Sequence, residues 1–322
     1  MINEVKAKRA FYMGLKYIVL ILLAYQLLYP VLYMISASIK DPLDSYDPSV
    51  IWIPKNFSAT GFIDAFKSMK YLDALKGSLE ISLGCAVLDV MSCALAGYGF
   101  ARFKFPFKNL LFACVILTLM VPMQTIILPY YMNMRYFDPL GLVSAINAAF
   151  DKTITINLVG KNIAFYLPSL FGSGIRSGLY IYIFRQFFEG MDKALEEAAQ
   201  IDGCTEVGVF FRVVTPISKS MIAAISLFIA VINWNDYYSY MMFISNKTEL
   251  QPYAWVLHRM LTDQTMMNQV RNGAVSMGMA TPPPPMALRM ACIICAMLPI
   301  MCVYPFLQKH FTKGITLGAV KE

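Results

Sequence analysis

Charged residues are scarce in this chain. They make up 15% of its 322 residues, whereas hydrophobic residues make up 58%. About a quarter of the residues in an ordinary soluble domain are charged, so the composition argues against a soluble globular protein. Several windows of roughly 20 mostly apolar residues are long enough to cross a hydrocarbon layer as helices. The sequence therefore predicts a membrane protein.

Other features that the sequence lacks exclude further classes of function. It contains two histidines, and the predicted topology puts His258 and His310 on opposite sides of the membrane, so neither a histidine metal site nor a Ser-His-Asp triad is expected. No G-x-x-x-x-G-K-[ST] phosphate cradle occurs, so the chain cannot bind ATP by that route. The net charge of +7 comes from basic residues at the ends of apolar runs rather than on a nucleic-acid-binding face. No metal, cofactor or nucleic acid is therefore expected.

The apolar stretches are continuous rather than alternating, which favours membrane-spanning helices over barrel strands. We predict an all-α membrane protein with about six transmembrane helices. The predicted spans are 15–35, 75–100, 110–132, 164–184, 221–243 and 286–306. Prolines in the third and sixth spans are expected to bend those helices.

The basic residues predict the orientation. They concentrate before the first span, in the short loop around Arg102 and Lys104, and after the last span. Because loops rich in Lys and Arg stay in the cytoplasm, these three segments and both termini are predicted to be cytoplasmic. The loop 40–70 has balanced charge and is predicted to be extracellular.

The loop between the fourth and fifth spans breaks this pattern because acidic residues outnumber basic ones in it. Two short helices are predicted. Asp192 is expected to cap the first, whose Leu195, Ala198 and Ala199 share a face, and Gly203 is expected to end it.

Thr205 is expected to cap the second helix of this loop, and Pro216 to stop it. Between them an apolar stripe follows helical spacing, formed by Val207, Phe210, Phe211 and Val214. An aromatic stripe is costly to expose to water. Either the ends of the chain's own membrane helices cover it, or a soluble partner does.

The same loop carries a family resemblance. "EAAQIDG" followed by "VVTP" resembles the EAA signature, E-A-A-x-x-x-G-x9-I-x-L-P, of permease subunits of bacterial ABC importers. Thr215 stands where that family favours Leu. The stretches "ALAGYGFARFKFP", "VPMQTIILPYY", "FRQFFEGM", "NWNDYY" and "LPIMCVYPFLQKHFTKGITLGAVKE" also resemble the maltose-type carbohydrate-uptake permeases. The resemblance extends from about residue 75 to the C-terminus.

The resemblance implies the type I ABC importer permease fold. Residues 1–74 would form an N-terminal cytoplasmic segment, the first transmembrane helix and an extracellular loop, and residues 75–322 the permease core with a cytoplasmic EAA coupling loop at 186–219. In that family the loop docks on a cytoplasmic ATPase. The residues that inherit this proposed role are Glu197, Ala198, Ala199, Asp202, Gly203, Phe210 and Pro216.

Polar residues inside predicted spans are candidates for the substrate pathway, because burying charge in a membrane is costly. Asn233, Trp234, Asn235 and Asp236 form one group, which matches a family motif and either lines the pathway or joins neighbouring helices by hydrogen bonds. Arg176 either faces an aqueous cavity or pairs with Asp89.

The predicted function is that of a permease subunit in an ATP-driven, binding-protein-dependent importer of sugars, expected to be oligosaccharides, in a bacterial plasma membrane. The implied partners are a second, non-identical permease, two cytoplasmic ATP-binding subunits, an extracellular solute-binding protein, membrane lipid and the sugar. ATP hydrolysis is expected in the separate ATPase, so this chain is not predicted to be an enzyme. A proton-coupled secondary transporter, with Asp89, Asp236 and Arg176 as its relay, is the alternative.

Overall fold

The computed structural model of the chain describes residues 2–244, 251–263 and 285–319, together with positions 268, 272 and 276. This part of the chain is largely helical and contains no β-strand, only an isolated bridge between Lys40 and Phe57. A single turn of 3₁₀-helix covers Pro139–Gly141. A π-helical turn covers Phe210–Val214. The α-helices are α1 (Ile2–Ser38), α2 (Pro42–Tyr46), α3 (Thr60–Ser68), α4 (Tyr71–Arg102), α5 (Lys108–Met120), α6 (Met123–Arg135), α7 (Leu142–Phe150), α8 (Ile163–Leu170), α9 (Ser177–Glu189), α10 (Ala194–Ile201), α11 (Glu206–Val209), α12 (Thr215–Ile217), α13 (Lys219–Trp234), α14 (Tyr237–Phe243), α15 (Tyr253–Thr262) and α16 (Pro285–Ala319).

Contacts within the chain define two compact units. One comprises residues 1–71 and 259–298, and the other comprises residues 72–258 and 299–322. In the first unit, none of the residues in the most apolar window of α1 is buried. The segment after α1 is held by polar contacts: Lys40 Nζ donates to Val50 O at 2.7 Å, and Asn56 N donates to an Asp44 carboxylate oxygen at 2.6 Å.

Three predicted spans are single helices. Phe11–Ser38, Tyr71–Arg102 and Met286–Pro305 are each long and apolar enough to cross a membrane. They agree with the spans predicted at 15–35, 75–100 and 286–306. In the proline run 282–285, Pro285 begins the last of these helices, and residues 282–284 lie outside the described residues.

The other three predicted spans are not continuous helices, and this corrects the sequence-based prediction. The third divides into α5 and α6, which meet at a bend of 108°. Pro122, which has no N–H to donate, ends α5 there, whereas Pro129 lies inside α6. The fourth divides into α8 and α9 around residues 171–176, and the fifth into α13 and α14 around Asn235 and Asp236. Hydropathy does not detect these breaks because apolar residues flank each of them.

Two glycines allow close helix packing in the larger unit. A Cβ at Gly97 of α4 would lie 2.6 Å from Phe184 Cβ of α9, and one at Gly178 of α9 would overlap Thr118 Oγ1 of α5. Small residues at such positions let two helices approach closely. Helix α9 is therefore packed closely against both α4 and α5.

Candidate functional sites

The larger unit contains a cavity at the breaks in its helices that is open to its surroundings and measures about 630 Å³ with the open space at its mouth included. Met123 follows the break between α5 and α6, Arg176 precedes α9, and Asp236 lies between α13 and α14; all three line the cavity. Irregular backbone within a membrane-spanning region is tolerated where it faces protein or a water-filled space. Discontinuous helices also surround the substrate sites of many transporters. The cavity is therefore the candidate substrate site.

Asp89 of α4 joins three helices at the edge of this cavity. Its carboxylate accepts hydrogen bonds from Ser169 Oγ of α8 at 3.1 Å and from Ser177 Oγ of α9 at 3.2 Å. The residue is 5% exposed. These two hydroxyl groups compensate the burial of the carboxylate, so Asp89 holds α8 and α9 against α4 across the break.

Arg176 lies at the other side of the same break, immediately before α9, and is exposed. Its guanidinium lies 4.0 Å from Met123 Sδ. Among the described residues, no carboxylate lies within 4 Å of it. Of the two predicted alternatives, a place on the cavity wall is the one that the structure contains, and the ion pair with Asp89 is absent.

The group Asn233–Asp236 is divided by the break between α13 and α14. Asn233 and Asp236 line the cavity. The Asp236 carboxylate caps α14, accepting from Ser239 N at 3.2 Å and from Ser239 Oγ at 2.7 Å. Asn233 Nδ2 is buried and has no hydrogen-bond acceptor among the described residues. The amide nitrogen of Asn233 is therefore enclosed and unpaired, whereas the exposed Arg176 guanidinium has no carboxylate partner in the part of the chain that the structure describes.

Two members of that group lie elsewhere, which corrects the prediction for them. The Trp234 ring packs against the Tyr253 ring at 5.7 Å between centroids and lines a separate apolar pocket with residues such as Leu227 and Ile300. Asn235 is exposed and donates to Val231 O at 2.9 Å. Neither lines the polar cavity, because four consecutive residues at a helix break point in different directions.

The loop after α9 has the predicted helices and caps. Asp192 Oδ1 accepts from Ala194 N at 3.0 Å at the start of α10, and Thr205 Oγ1 accepts from Gly208 N at 3.2 Å at the start of α11. Gly203 follows α10 with φ +86, a conformation that residues with a side chain rarely adopt. The prediction of two short helices separated at Gly203 is confirmed.

A buried ion pair that the sequence analysis missed fixes this loop to α4. Arg102 Nε and Nη2 each lie 2.7 Å from Glu196 Oε1, and Tyr98 Oη donates to Glu196 Oε2 at 2.9 Å. The Arg102 and Glu196 side chains are 7% and 9% exposed. Arg102 also donates to Met191 O. The available signal was the spacing of Tyr98 and Arg102, which puts both on one face at the end of α4.

The buried residues of α10 are Glu196 and Ala199; of the three residues predicted to share a face, Leu195 and Ala198 are exposed and only Ala199 is buried. Glu197 and Ala198 are exposed on the opposite side, and so are Asp202 and Gly203 after the helix. The two adjacent glutamates therefore differ completely in environment. Glu196 belongs to the interior, and Glu197 lies at the surface.

The apolar stripe of the second helix is divided in the same way. Phe210 and Val214 are buried, and the Phe210 ring lies 5.0 Å from the Tyr98 ring and 6.3 Å from the Phe188 ring. Val207 and Phe211 remain 67% and 51% exposed. The chain's own helices therefore cover half of the stripe. For Phe210 this corrects the expectation of an exposed docking residue.

Pro216 does not stop the helix. The π-helical turn and α12 continue it to Ile217, and the chain bends by 82° before α13. Thr215 donates from Oγ1 to Phe210 O at 2.9 Å. Its backbone N–H bonds the same oxygen. The hydroxyl that departs from the family pattern thus stabilises the wide turn.

Comparison with known proteins identifies the family. Residues 93–317 match the family described as "Binding-protein-dependent transport system inner membrane component". The chain belongs to this family. The permease is therefore a multi-pass membrane transport subunit rather than an enzyme, and the ATPase of such a system is a separate subunit. A proton-coupled secondary transporter is not supported.

Individual relatives agree over most of their length. The permease is 30% identical over 298 residues to the "Polygalacturonan/rhamnogalacturonan transport system permease protein YtcP" of Bacillus subtilis (strain 168), covering 91% of this chain and 92% of that one. It is 25% identical over 306 residues to the "Arabinooligosaccharides transport system permease protein AraQ" of Halalkalibacterium halodurans, covering 93% of each.

The fold is also found in a solved structure, that of a bacterial ABC transporter involved in the import of the acidic polysaccharide alginate. The TM-score is 0.76 at 18% identity, over 94% of the permease and 96% of that chain. The all-α fold of a type I importer permease, expected from the resemblance, is confirmed.

Proposed function

We propose that this permease forms half of the translocation pathway of an ATP-driven importer of oligosaccharides in a bacterial plasma membrane. A second, non-identical permease supplies the other half. Two cytoplasmic ATP-binding subunits drive transport, and an extracellular solute-binding protein delivers the sugar. Both termini are cytoplasmic, residues 1–74 add the first transmembrane helix and an extracellular loop, and residues 75–322 form the permease core.

The observation that carries this proposal is the division of the loop 186–219 into an anchored face and a free face. Glu196 and Phe210 attach the loop to the end of α4, which leads into the short basic loop containing Lys104. Because basic loops remain in the cytoplasm, this supports a cytoplasmic position for the coupling loop. Its free face carries Glu197 together with Val207 and Phe211.

The free face has the properties of a protein-binding surface. It combines apolar side chains, including Ile201 at 85% exposure, with the carboxylates of Glu197 and Asp202. Apolar groups in the centre and charged groups around them are typical of protein interfaces. We assign it to the ATPase, with Glu197 facing a basic residue of that subunit.

The anchored face provides a rigid path to the cavity. Arg102, which holds the loop, and Asp89, which holds the helix break, both belong to α4 and are separated by roughly 20 Å at about 1.5 Å per residue. A displacement of the loop by the closing ATPase dimer therefore acts on α4 and α9 as rigid elements. In this mechanism the movement opens and closes the cavity.

The sugar assignment is supported by the relatives, which are named as carriers of polygalacturonan, rhamnogalacturonan and arabinooligosaccharides. Hydroxyl-rich ligands need numerous hydrogen-bonding groups. The cavity provides these from serine, tyrosine and asparagine residues, including Ser177, Tyr180 and Asn233.

The test is the charge reversal Glu197→Lys in the complete transporter. We expect normal membrane insertion, reduced co-purification of the ATPase and loss of ATP-driven sugar uptake in proteoliposomes. Asp73→Lys, at an exposed carboxylate in the first turn of α4, is the matched control and should retain both properties. Normal association and uptake in Glu197→Lys would contradict the assigned coupling surface. Uptake that persists without ATP and stops when a proton gradient is removed would contradict ATP coupling itself.

A further inference from the structure

The charged residues of the cavity wall differ in whether they have partners. Asp89, Arg176 and Asp236 line the cavity. Asp89 accepts from two serine hydroxyls, and Asp236 accepts from the N–H and hydroxyl of Ser239. Arg176 has no anionic partner within the described part of the chain. Both carboxylates are therefore hydrogen-bonded to their own neighbours, whereas the guanidinium has no carboxylate partner among the described residues.

Arginines within membrane proteins are rare, and they usually face a water-filled cavity and serve substrate or ion pathways. A guanidinium presents several N–H donors in a planar arrangement that matches a carboxylate. Asn233 lines the same cavity. The cavity thus offers donors for an anionic, hydroxyl-rich ligand at a place where its own carboxylates are already hydrogen-bonded.

We propose that Arg176 binds the carboxylate of a uronic-acid unit, so that this permease carries acidic oligosaccharides. The inference rests on the proposed function and adds the chemical class of the substrate. Arg176 acts as a specificity-determining residue: a neutral sugar leaves its guanidinium unpaired, whereas a uronate pairs with it. A carboxylate contributed by the second permease is the competing occupant, and the test separates the two.

The experiment uses the complete transporter with its own binding protein in proteoliposomes. The probes are di- and trisaccharides of galacturonate, glucuronate and mannuronate, each compared with its neutral counterpart built from galactose, glucose or mannose. The variants are Arg176→Gln, which removes the charge, and Arg176→Lys, which keeps it without the planar donors. Arg135→Gln is the matched control, because Arg135 is an exposed arginine on α6 that does not line the cavity.

We expect ATP-driven uptake of at least one oligouronide by the wild type. Arg176→Gln should reduce it by roughly 10- to 100-fold, as for loss of a charge-assisted hydrogen bond, Arg176→Lys by less, and Arg135→Gln not at all. Uptake of the neutral members alone, or of no probe, overturns the substrate class. Reduced co-purification of the second permease in Arg176→Gln assigns the guanidinium to the subunit contact and also overturns it.

The experiment distinguishes a failure of this inference from a failure of the proposed function. If ATP-driven uptake is restricted to neutral sugars, the importer function is retained and the selection of uronates by Arg176 is rejected. If any probe is taken up without ATP, the proposed ATP-driven mechanism is rejected, whatever the effect of Arg176→Gln.

Discussion

The coupling loop and the cavity have opposite patterns of burial. In the loop, the charged Glu196 is enclosed and paired, and apolar side chains such as Phe211 are exposed. In the cavity, the aromatic side chains of Tyr180 and Phe243 are buried, and the charged Arg176 is exposed, with no ionic partner among the described residues. The loop therefore leaves apolar side chains for a partner to cover, and the cavity leaves a guanidinium for an anion to bind.

The contrast indicates two kinds of partner. An exposed apolar surface is completed by another protein, because covering it removes apolar area from water. An unpaired polar group in a cavity is completed by a ligand that brings the complementary charge. The loop is attached to α4 through Arg102, and α4 also contributes Asp89 to the cavity, so the two sites are connected without sharing a residue.

The largest expected effect comes from the buried side of the loop. Glu196→Ala leaves the Arg102 guanidinium buried without its carboxylate, and breaking such a pair costs about 3–5 kcal/mol. Thermal unfolding of the detergent-purified permease pair measures this loss. Glu197→Ala, the same substitution one residue later at the surface, should change the melting temperature little. Equal melting temperatures for the two variants would remove the distinction between the anchored and free faces.

An intermediate effect is expected at the cavity wall. Asp89→Ala removes the acceptor of two serine hydroxyls that join α8 and α9 to α4, and we expect a loss of about 1–3 kcal/mol. Asp89→Asn keeps an acceptor of similar shape and should keep most of the stability and the ATP-driven uptake. If Asp89→Asn melts like the wild type but transports nothing, Asp89 acts in proton or substrate transfer rather than in holding the helices.

The smallest effect on stability is expected at the free face. Phe211→Ser removes an aromatic ring that is 51% exposed, so the free energy of unfolding should change by about 0.5 kcal/mol or less. Binding of the purified ATPase should nevertheless weaken. Leu140→Ser, at a residue that is 98% exposed beyond the end of α6, is the control and should affect neither quantity. Unchanged ATPase binding in Phe211→Ser would show that the exposed half of the stripe is not part of the interface.

Local features were predictable because their causes lie within a few residues. Asp192, Gly203 and Thr205 mark helix ends through contacts with their own backbone neighbourhood. The straight spans follow from apolar length alone. The breaks in the other three spans were not predictable from hydropathy, because the few polar residues at a break, such as Asn235 and Asp236, are averaged with the apolar residues that flank them.

Long-range features could not be predicted. Glu196 and Glu197 are adjacent and chemically identical, and only the approach of Arg102 and Tyr98, more than ninety residues earlier, buries one of them. Trp234 and Asp236 likewise separate only because the chain turns between them. A resemblance identifies which residues match a motif, but it does not say which side of a helix another helix covers.

The sequence by itself determined that this protein spans a membrane, where its main helices lie, and that it belongs with the permeases of binding-protein-dependent importers. The tertiary structure alone decided which charges are paired. Hydropathy and capping act over one helix at a time, whereas the pairing of Glu196 with Arg102, and the isolation of Arg176 from Asp89, depend on how separate helices pack.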